Sequence, residues 1–589
     1  LAHKFQRFFL NNLERNYEKL LQFAMRGWRT YAFVFGTIAL LITSFVLVGI
    51  AGPKVEFFPD NEPSQIIVYI EYPQGTDIDK TNAITKGIEQ VVIETVNKEK
   101  YMDEGTNFMV ESLVSQVGEG AGNPQTDGGS QAEMPHRGKI TATMREYKFR
   151  RGLSSEVLRS EVQQALQGKF SGVSMSVEKD TNGPPVGYPV NIEISGDDYI
   201  ELIKVANEVR SFIIKENIPG IEELKVDVNR NKPGMEVSVD RRKAGSLSVS
   251  AGQVGLQLRR ALFGEKAGVY KKDGEDYDIN VRFQEADRHN PAALFNQNIT
   301  FRDMASGQIK SIPVSAVVEI KNVAGFSAIK HKNMRRVVTV YSAILPGYNA
   351  NEIVGQVQTQ LQGFNIPKGI DYAFTGEIAE QEENMRFLSS ALGFAILLIM
   401  LLLVFQFNSV SKPLIILFSI FMSFTGVMLG LVFFNMTFVI IMTMMGIISL
   451  AGIVVNNSVV LLDYTQLLLD RKRETLNITD DNLLPRKDIF DVIVAGGKAR
   501  LRPVLLTAIT TVLGLIPLAI GLNINFFSLF ASGDPQIYFG GENVIFWGPL
   551  AWTVIFGLTF ATFLTLVIVP VTFFLSKRAA IRMKASLGG

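Results

Sequence analysis

From Pro413 to Leu462 the chain carries no Asp, Glu, Lys, Arg or His. A soluble domain covers itself with charge, so a run of this length excludes most folds. A membrane helix needs about 20 apolar residues to cross ~30 Å of hydrocarbon, and this run is long enough for two. The stretch FFNMTF (433–438) supplies the break between them. The same criterion finds four more runs: between Arg29 and Lys54, between Arg386 and Lys412, from Pro503 to about Leu522, and from about Val544 to Leu575. In lipid each backbone polar group must be paired within its own segment, which makes each run a helix. The expected fold class is a polytopic α-helical membrane protein with six transmembrane helices.

Lys and Arg gather in three places: Lys4 to Arg29, Arg471 to Arg502, and Lys577 to Lys584. With six spans these fall on one side, which the positive-inside rule makes the cytoplasm. Residues 1–29 mix basic and apolar positions at helical spacing and are expected to lie on the inner membrane face. The large insert between the first two spans then lies outside the cytoplasm, and its pattern is α+β. SQIIVYIEY (64–72) reads as a strand and TDIDKTNAITKGIEQVVIETV (76–96) as a helix. FMVESLVSQV (108–117), KITATMREY (139–147), the helix SSEVLRSEVQQALQG (154–168) and VSMSVEKD (173–180) complete a βαββαβ order, the split-βαβ motif. A second copy starts at PVNIEISG (189–196) and DDYIELIKVANEVRSFIIK (197–215), breaks off around 234–325, and resumes at RRVVTVYSAILPG (335–347) and NANEIVGQVQTQLQG (349–363).

Composition removes several function classes. The 589 residues include no Cys and only four His, so neither a disulfide framework nor a thiolate or imidazole metal site is expected. A net charge of +1 gives no reason to expect nucleic acid as a partner. AGGKAR (495–500) lacks the first Gly and the Ser/Thr of a phosphate loop. The Gly-rich VGEGAGNPQTDGG (117–129) lacks the following helix that would hold a pyrophosphate. Neither H-E-x-x-H nor G-x-S-x-G occurs.

No ionisable residue lies at mid-depth in any span; Asp463 sits at the cytoplasmic end of the fourth. Membrane-embedded ionisable groups mark ion pathways, so a proton-driven transporter would need its carboxylates elsewhere. The polar exception is GIVVNNSVVLLDY (452–464), with Asn456, Asn457 and Ser458 in an otherwise apolar run. Adjacent helical positions point about 100° apart, so the two amides face different neighbours. Helix–helix hydrogen bonding and a functional role are both open at this point.

GIVVNNSVVLLDY and ARLRPVLLTAITTVLGLIPLAIG (499–521) resemble the second half of resistance-nodulation-division transporters of the hydrophobic/amphiphilic efflux type. FFPDNEPSQIIVYIEYPQGT (57–76), VDRRKAGSLSVSAGQVGLQLRRALFG (239–264), FTGEIAEQEE (374–383), LLLVFQFNSVSKPLIILFSI (401–420) and WGPLAWTVIFGLTFATFLTLVIVP (547–570) are similar to that family in order and spacing. The resemblance implies that the six spans are helices seven to twelve, with ferredoxin-like porter subdomains and a docking subdomain in the insert. The implied organisation is a cytoplasmic amphipathic helix (1–29), a span (30–53), a first porter subdomain (54–183) and a second (184–233 and 331–385) split by a docking subdomain (234–330). Three spans (386–465), a cytoplasmic loop (466–502), two spans with a short periplasmic loop (503–576) and a cytoplasmic tail (577–589) follow.

The resemblance further implies half of a proton-motive-force-driven efflux pump, a secondary active transporter and not an enzyme, exporting amphiphilic small molecules. It needs no cofactor beyond the proton gradient. The expected partners are an N-terminal half carrying an acidic pair, a homotrimer of full protomers, a periplasmic adaptor and an outer-membrane channel. The expected location is the inner membrane of a Gram-negative bacterium, with both chain ends cytoplasmic and the insert periplasmic. Residue by residue, Asn456 falls where many members place a Lys, and Asn457 matches the family's Asn. Arg500 and Thr507 match a basic residue and a hydroxyl of the proton relay. Val114, Gln116 and Thr141 fall where the first porter subdomain lines the substrate pocket. Met109, Met144 and Met175 are read as strand core and not as metal ligands. Two other readings stay open: an accessory protein of proton-driven protein translocation, and an inactive structural half-transporter.

Overall fold

The computed structural model describes all residues except 1–10, 60–61, 125–133, 181–186, 229, 304–306, 327–328, 346–347, 479–483 and 588–589. Part of the Gly-rich stretch, 125–129, therefore lies outside the described residues. By chain contacts the molecule divides into two units, one of residues 1–72, 77–227 and 330–589, the other of 73–76 and 228–329.

The larger unit opens with α1 (Asn11–Ala24) and α2 (Arg29–Ala51). Strand β1 (Gln65–Glu71) alternates half-buried and buried residues, the pattern of a sheet covered on one face. Helix α2 is thus separated from α3 (Ile78–Val96), whose first turn is capped by the Asp77 carboxylate. Strands β2 (Val110–Gly118) and β3 (Met134–Met144), helix α4 (Ser155–Leu166) and strand β4 (Ser174–Lys179) complete the subdomain. Its antiparallel sheet runs β2-β3-β1-β4. Ile66, Val68, Ile70, Ile140, Ala142 and Val177 pack under α3 and α4 with Met109 and Met144.

The second subdomain repeats the plan with β5 (Val190–Gly196), α5 (Tyr199–Lys215), β6 (Lys225–Val226), β7 (Arg335–Ser342), α6 (Ala350–Leu361) and β8 (Asp371–Phe374). The order across its sheet is β6-β7-β5-β8, matching the first. The smaller unit occupies the gap between β6 and β7. Its core gathers Val249, Val254, Ala261, Leu294, Phe295 and Val314. Its hairpin, Glu265–Lys272 with Glu275–Val281, is exposed along almost its whole length.

Five long helices follow: α7 (Glu377–Phe407), α8 (Ser411–Phe433), α9 (Ile440–Thr475), α10 (Arg486–Ile520) and α11 (Glu542–Leu587). With α2 they make six helices, among the described residues, long and apolar enough to cross a membrane. In their most apolar windows α8 and α11 are 72% and 67% buried, α9 50%, and α10, α2 and α7 only 17%, 11% and 6%. Helices α8 and α11 therefore form the centre, and small residues let them approach: a methyl group at Gly430 would overlap the Phe556 ring.

Two features differ from the sequence reading. The stretch 466–502, expected as a loop, is mostly helix, because α9 runs on to Thr475 and α10 begins at Arg486. The amphipathic α1 does not simply lie on a membrane face. Its apolar residues Tyr17, Leu21 and Ala24, with Met25 just beyond its end, are buried in the helix bundle. A sequence periodicity fixes an apolar stripe but not what covers it.

Contacts among the described residues join the two α+β subdomains to the long helices. Val55 and Glu56 pair in parallel with Phe438 and Val439, immediately before α9. The buried Arg150 bonds the carbonyls of Arg145 and Pro63 and the Ser155 hydroxyl, and pairs with Glu542 of α11 at 3.4 Å.

Candidate functional site

Three consecutive polar residues of α9 take three directions. Asn456 is exposed and has no hydrogen-bond partner among the described residues. Asn457 is buried, and its Oδ1 accepts from the Thr507 hydroxyl of α10 at 3.0 Å. Ser458 is fully buried and meets the Ser419 hydroxyl of α8 at 2.8 Å. Because the Ser419 proton points to the Ile416 carbonyl at 2.7 Å, Ser458 is the donor in that pair. Ser458 is thus interhelical glue, whereas the Asn457–Thr507 pair retains capacity. The Thr507 hydroxyl has one proton and two acceptors near it, Asn457 Oδ1 and the Val504 carbonyl at 2.9 Å. The Asn457 amide NH2 keeps its donors for a further group.

Arg500 does not join the amides. Its guanidinium lies 4.2 Å from the centre of the Tyr464 ring, one side of a cation–π contact between α10 and α9. Tyr464 ends the same motif that the amides open, so the motif meets α10 at both ends. Outward with Asn456 on α9 lie Ser449, Gly452 and Asp463, all exposed; Thr507 and Thr510 are exposed on α10. This surface can hydrogen-bond. It holds no acid at the depth of the amides.

In the first α+β subdomain Val114 pairs with Thr141 and Gln116 with Lys139 across β2 and β3. Cross-strand partners share a face, and this is the face turned away from α3 and α4, shared with Tyr69, Glu71 and Glu178. None of Val114, Gln116 and Thr141 lines the cavity that the two subdomains form; Val114 and Gln116 are exposed. The cavity of about 70 Å³ lies further along, where Glu71, Glu178, Tyr188, Glu222 and Tyr341 converge between the two subdomains. Sequence reasoning missed these residues, which are dispersed over strand ends and connections of both copies.

The cavity sets Glu71, Glu178, Glu222 and Glu223 beside Arg137 and Lys225, with Arg137 paired to Glu71 at 2.8 Å, and adds Tyr69, Tyr188 and Tyr341. Tyr188 donates to Glu178 Oε1 at 2.7 Å and stacks on Tyr341, ring centres 5.1 Å apart. Asn123 reaches both Tyr188 and Glu178, at 3.0 Å to the phenol oxygen. Burial and, after it, the Glu178 charge push the Glu222 carboxyl above the ordinary Glu range. Burial and the same carboxylate push the Tyr188 phenol up, so Tyr188 stays a donor. Met175 also lines the cavity, whereas Met109 and Met144 are buried in the core. Among the described residues no group of three or more His, Cys, Asp and Glu is arranged to hold a metal ion.

The profile of the AcrB/AcrD/AcrF family matches residues 1–577. The chain is 27% identical over 419 residues to the cobalt-zinc-cadmium resistance protein CzcA of Cupriavidus metallidurans, covering 71% of this chain and 35% of that one. It is 28% identical over 334 residues to the swarming motility protein SwrC of Bacillus subtilis, covering 57% and 28%. Among solved structures, a crystal structure of a heavy metal efflux pump matches with a TM-score of 0.68 at 20% identity, over 96% of this chain and 51% of that chain. The chain spans about a third of the length of the curated relatives it matches and about half of that pump. The match over residues 1–577 establishes that this chain belongs to the AcrB/AcrD/AcrF family of transporters.

Proposed function

We propose that the chain is the non-titrating half of a proton-driven export pump, whose carboxylates come from another segment seated against α9 and α10. The carrying observation is the division of labour in one motif: Asn457 meets Thr507, and Asn456 faces outward from the same helix. An amide there donates to a carboxylate and lowers its pKa without supplying the full charge of a Lys. Thr507 relays through its single proton, and Arg500, held on Tyr464, contributes positive potential from the cytoplasmic side. Assembly as a homotrimer with a periplasmic adaptor and an outer-membrane channel, in the inner membrane of a Gram-negative cell with both chain ends cytoplasmic, belongs to this reading. Val269, Tyr270, Tyr277, Ile279 and Val281, apolar yet exposed on one hairpin, support a partner there.

The cavity supports an amphiphilic organic cation as cargo. Stacked tyrosines offer a flat apolar wall, and Glu178 and Glu222 offer charge. Because Glu222 titrates above the ordinary range, a cation must displace its proton, and binding strengthens as pH rises through that value. The test is binding of ethidium to the full chain by fluorescence anisotropy. Affinity should rise as pH is raised above 4.5 and fall at least tenfold, about 1.4 kcal/mol, in Glu178→Gln/Glu222→Gln. A second reading takes a divalent metal ion as cargo, favoured by relatives named for cobalt, zinc and cadmium resistance and by Met175 in the cavity wall. Saturable Co²⁺ or Zn²⁺ binding lost in the same variant, with ethidium ignored, would select it.

A further inference from the structure

The segment AGGKAR has no phosphate to bind, yet the fold uses Gly496, Gly497, Lys498 and Arg500. A methyl group at Gly496 would lie 2.7 Å from the Thr465 hydroxyl of α9, and one at Gly497 2.8 Å from the Tyr17 hydroxyl of α1. The two glycines therefore let α10 press against α9 on one side and α1 on the other. Around them, Lys498 pairs with Glu18 at 2.8 Å and Arg502 with Glu14. Leu21 is fully buried in the cluster that holds Ile493, Val494, Leu501 and Val504 of α10.

The anchor of this contact is a hydrogen bond between residues 549 positions apart. Tyr17 donates to the carbonyl of Leu566 on α11 at 2.6 Å, a buried pair. That carbonyl needs an outside donor. Its helical partner is residue 570, which is Pro and has no N–H. Pro503 has the same effect on α10, leaving the Ala499 carbonyl without its backbone donor in the turn that α1 grips. Thus α1 holds both helices where their own ladders are interrupted.

We propose that α1 is a strap that fixes the rotation of α10, and that Tyr17 is its anchor, replacing the N–H that Pro570 lacks. Tyr17 is then a positioning residue for the pair Asn457 and Thr507, which lies about 15 Å, ten residues, further along α10. Transmission runs through packed, rigid elements in direct contact. The inference rests on the relay reading for its functional meaning, but its geometry stands independently.

The chain contains no Cys, so an introduced pair has no background. Asn457→Cys/Thr507→Cys should form a disulfide on oxidation in native membranes. The full chain carrying this pair is compared in four backgrounds: unaltered, Tyr17→Phe, Pro570→Ala, and both. Tyr17→Phe should slow disulfide formation at least fivefold. Adding Pro570→Ala, which restores a backbone donor to Leu566, should bring the rate back to within twofold. An unchanged rate in Tyr17→Phe would overturn the proposal, as would slowing that Pro570→Ala fails to rescue, since the hydroxyl would then act by packing alone. The pH profile of export in Asn457→Leu tests the relay separately: if it does not move, the relay reading fails while the cross-linking result still decides the strap.

Discussion

Two outward surfaces of the helix bundle contrast. From Phe394 to Phe405, α7 exposes Phe394, Leu397, Leu398, Leu401, Leu402 and Phe405, with nothing polar among them. At a comparable depth α9 exposes Ser449, Gly452 and Asn456, and α10 exposes Thr507 and Thr510. Both surfaces belong to helices apolar enough to span a membrane. Lipid gains nothing from an exposed amide, and a bilayer-facing helix has no use for one. Hydropathy thus identifies both helices as spans and says nothing of what each touches; the polar minority does. On the proposed reading α7 meets lipid, and the α9 and α10 surface, where Leu506 and Ile509 are exposed beside the threonines, meets another protein segment.

That contrast is most severely strained by charge. Leu398→Lys should cost about 3 kcal/mol of insertion, visible as loss of membrane-integrated chain in carbonate-washed membranes. Asn456→Lys should leave the integrated amount unchanged when the partner segment is co-expressed. Equal losses at the two positions would erase the distinction. Asn456→Leu makes the polar surface resemble α7; export should drop at least tenfold with the chain still integrated, and unchanged export would leave only a packing role.

Glycines sharpen the same comparison with smaller effects. Within the bundle, Gly430→Ala forces a methyl into Phe556 and should destabilise by about 1–3 kcal/mol, read as a lower melting temperature in detergent. Gly393 and Gly452 both have open space around them in this chain. Gly393→Ala on α7 should stabilise by roughly 0.5–1 kcal/mol. Gly452→Ala should instead weaken co-purification of the segment that packs on α9.

Outside the spans, Glu62 gives a small effect, through the Ser155 that Arg150 also contacts. Burial raises its pKa, but hydrogen bonds from Ser154 and Ser155 and from the backbone N–H groups of Glu156 and Ser155 outweigh that and hold it below the ordinary value of 4.5. A depressed carboxylate pKa means stability that is present above pH 4.5 and lost as pH falls through the folded value. Glu62→Gln should therefore lower the melting temperature at pH 7 and flatten the acid limb, by about 1 kcal/mol.

How much of this was legible depended on the range of the interaction. Charge-free runs and the period-2 alternation of QIIVYIE are local, and they read directly as helices and as a half-buried strand. The 100° step between helical neighbours already required Asn456 and Asn457 to part company. Which of them would turn inward was not legible, because it depends on where Thr507 of another helix lies. Val114, Gln116 and Thr141 share the open face of the first sheet, yet the cavity forms where Glu178 meets Tyr188, Glu222 and Tyr341. No spacing encodes that meeting of two subdomains. The reach of Tyr17 to Leu566 was likewise invisible, although Pro570 marks the carbonyl that needs a donor.

The central claim is that Asn456 faces a protein segment bearing membrane carboxylates. Single cysteines at Asn456 and Phe394, in a chain that has none of its own, can be derivatised with a short photoreactive label in native membranes and the cross-linked peptides sequenced. The account predicts that the label at Asn456 captures a peptide from an acid-bearing membrane helix, whereas the label at Phe394 captures lipid. Lipid capture at both positions would contradict it.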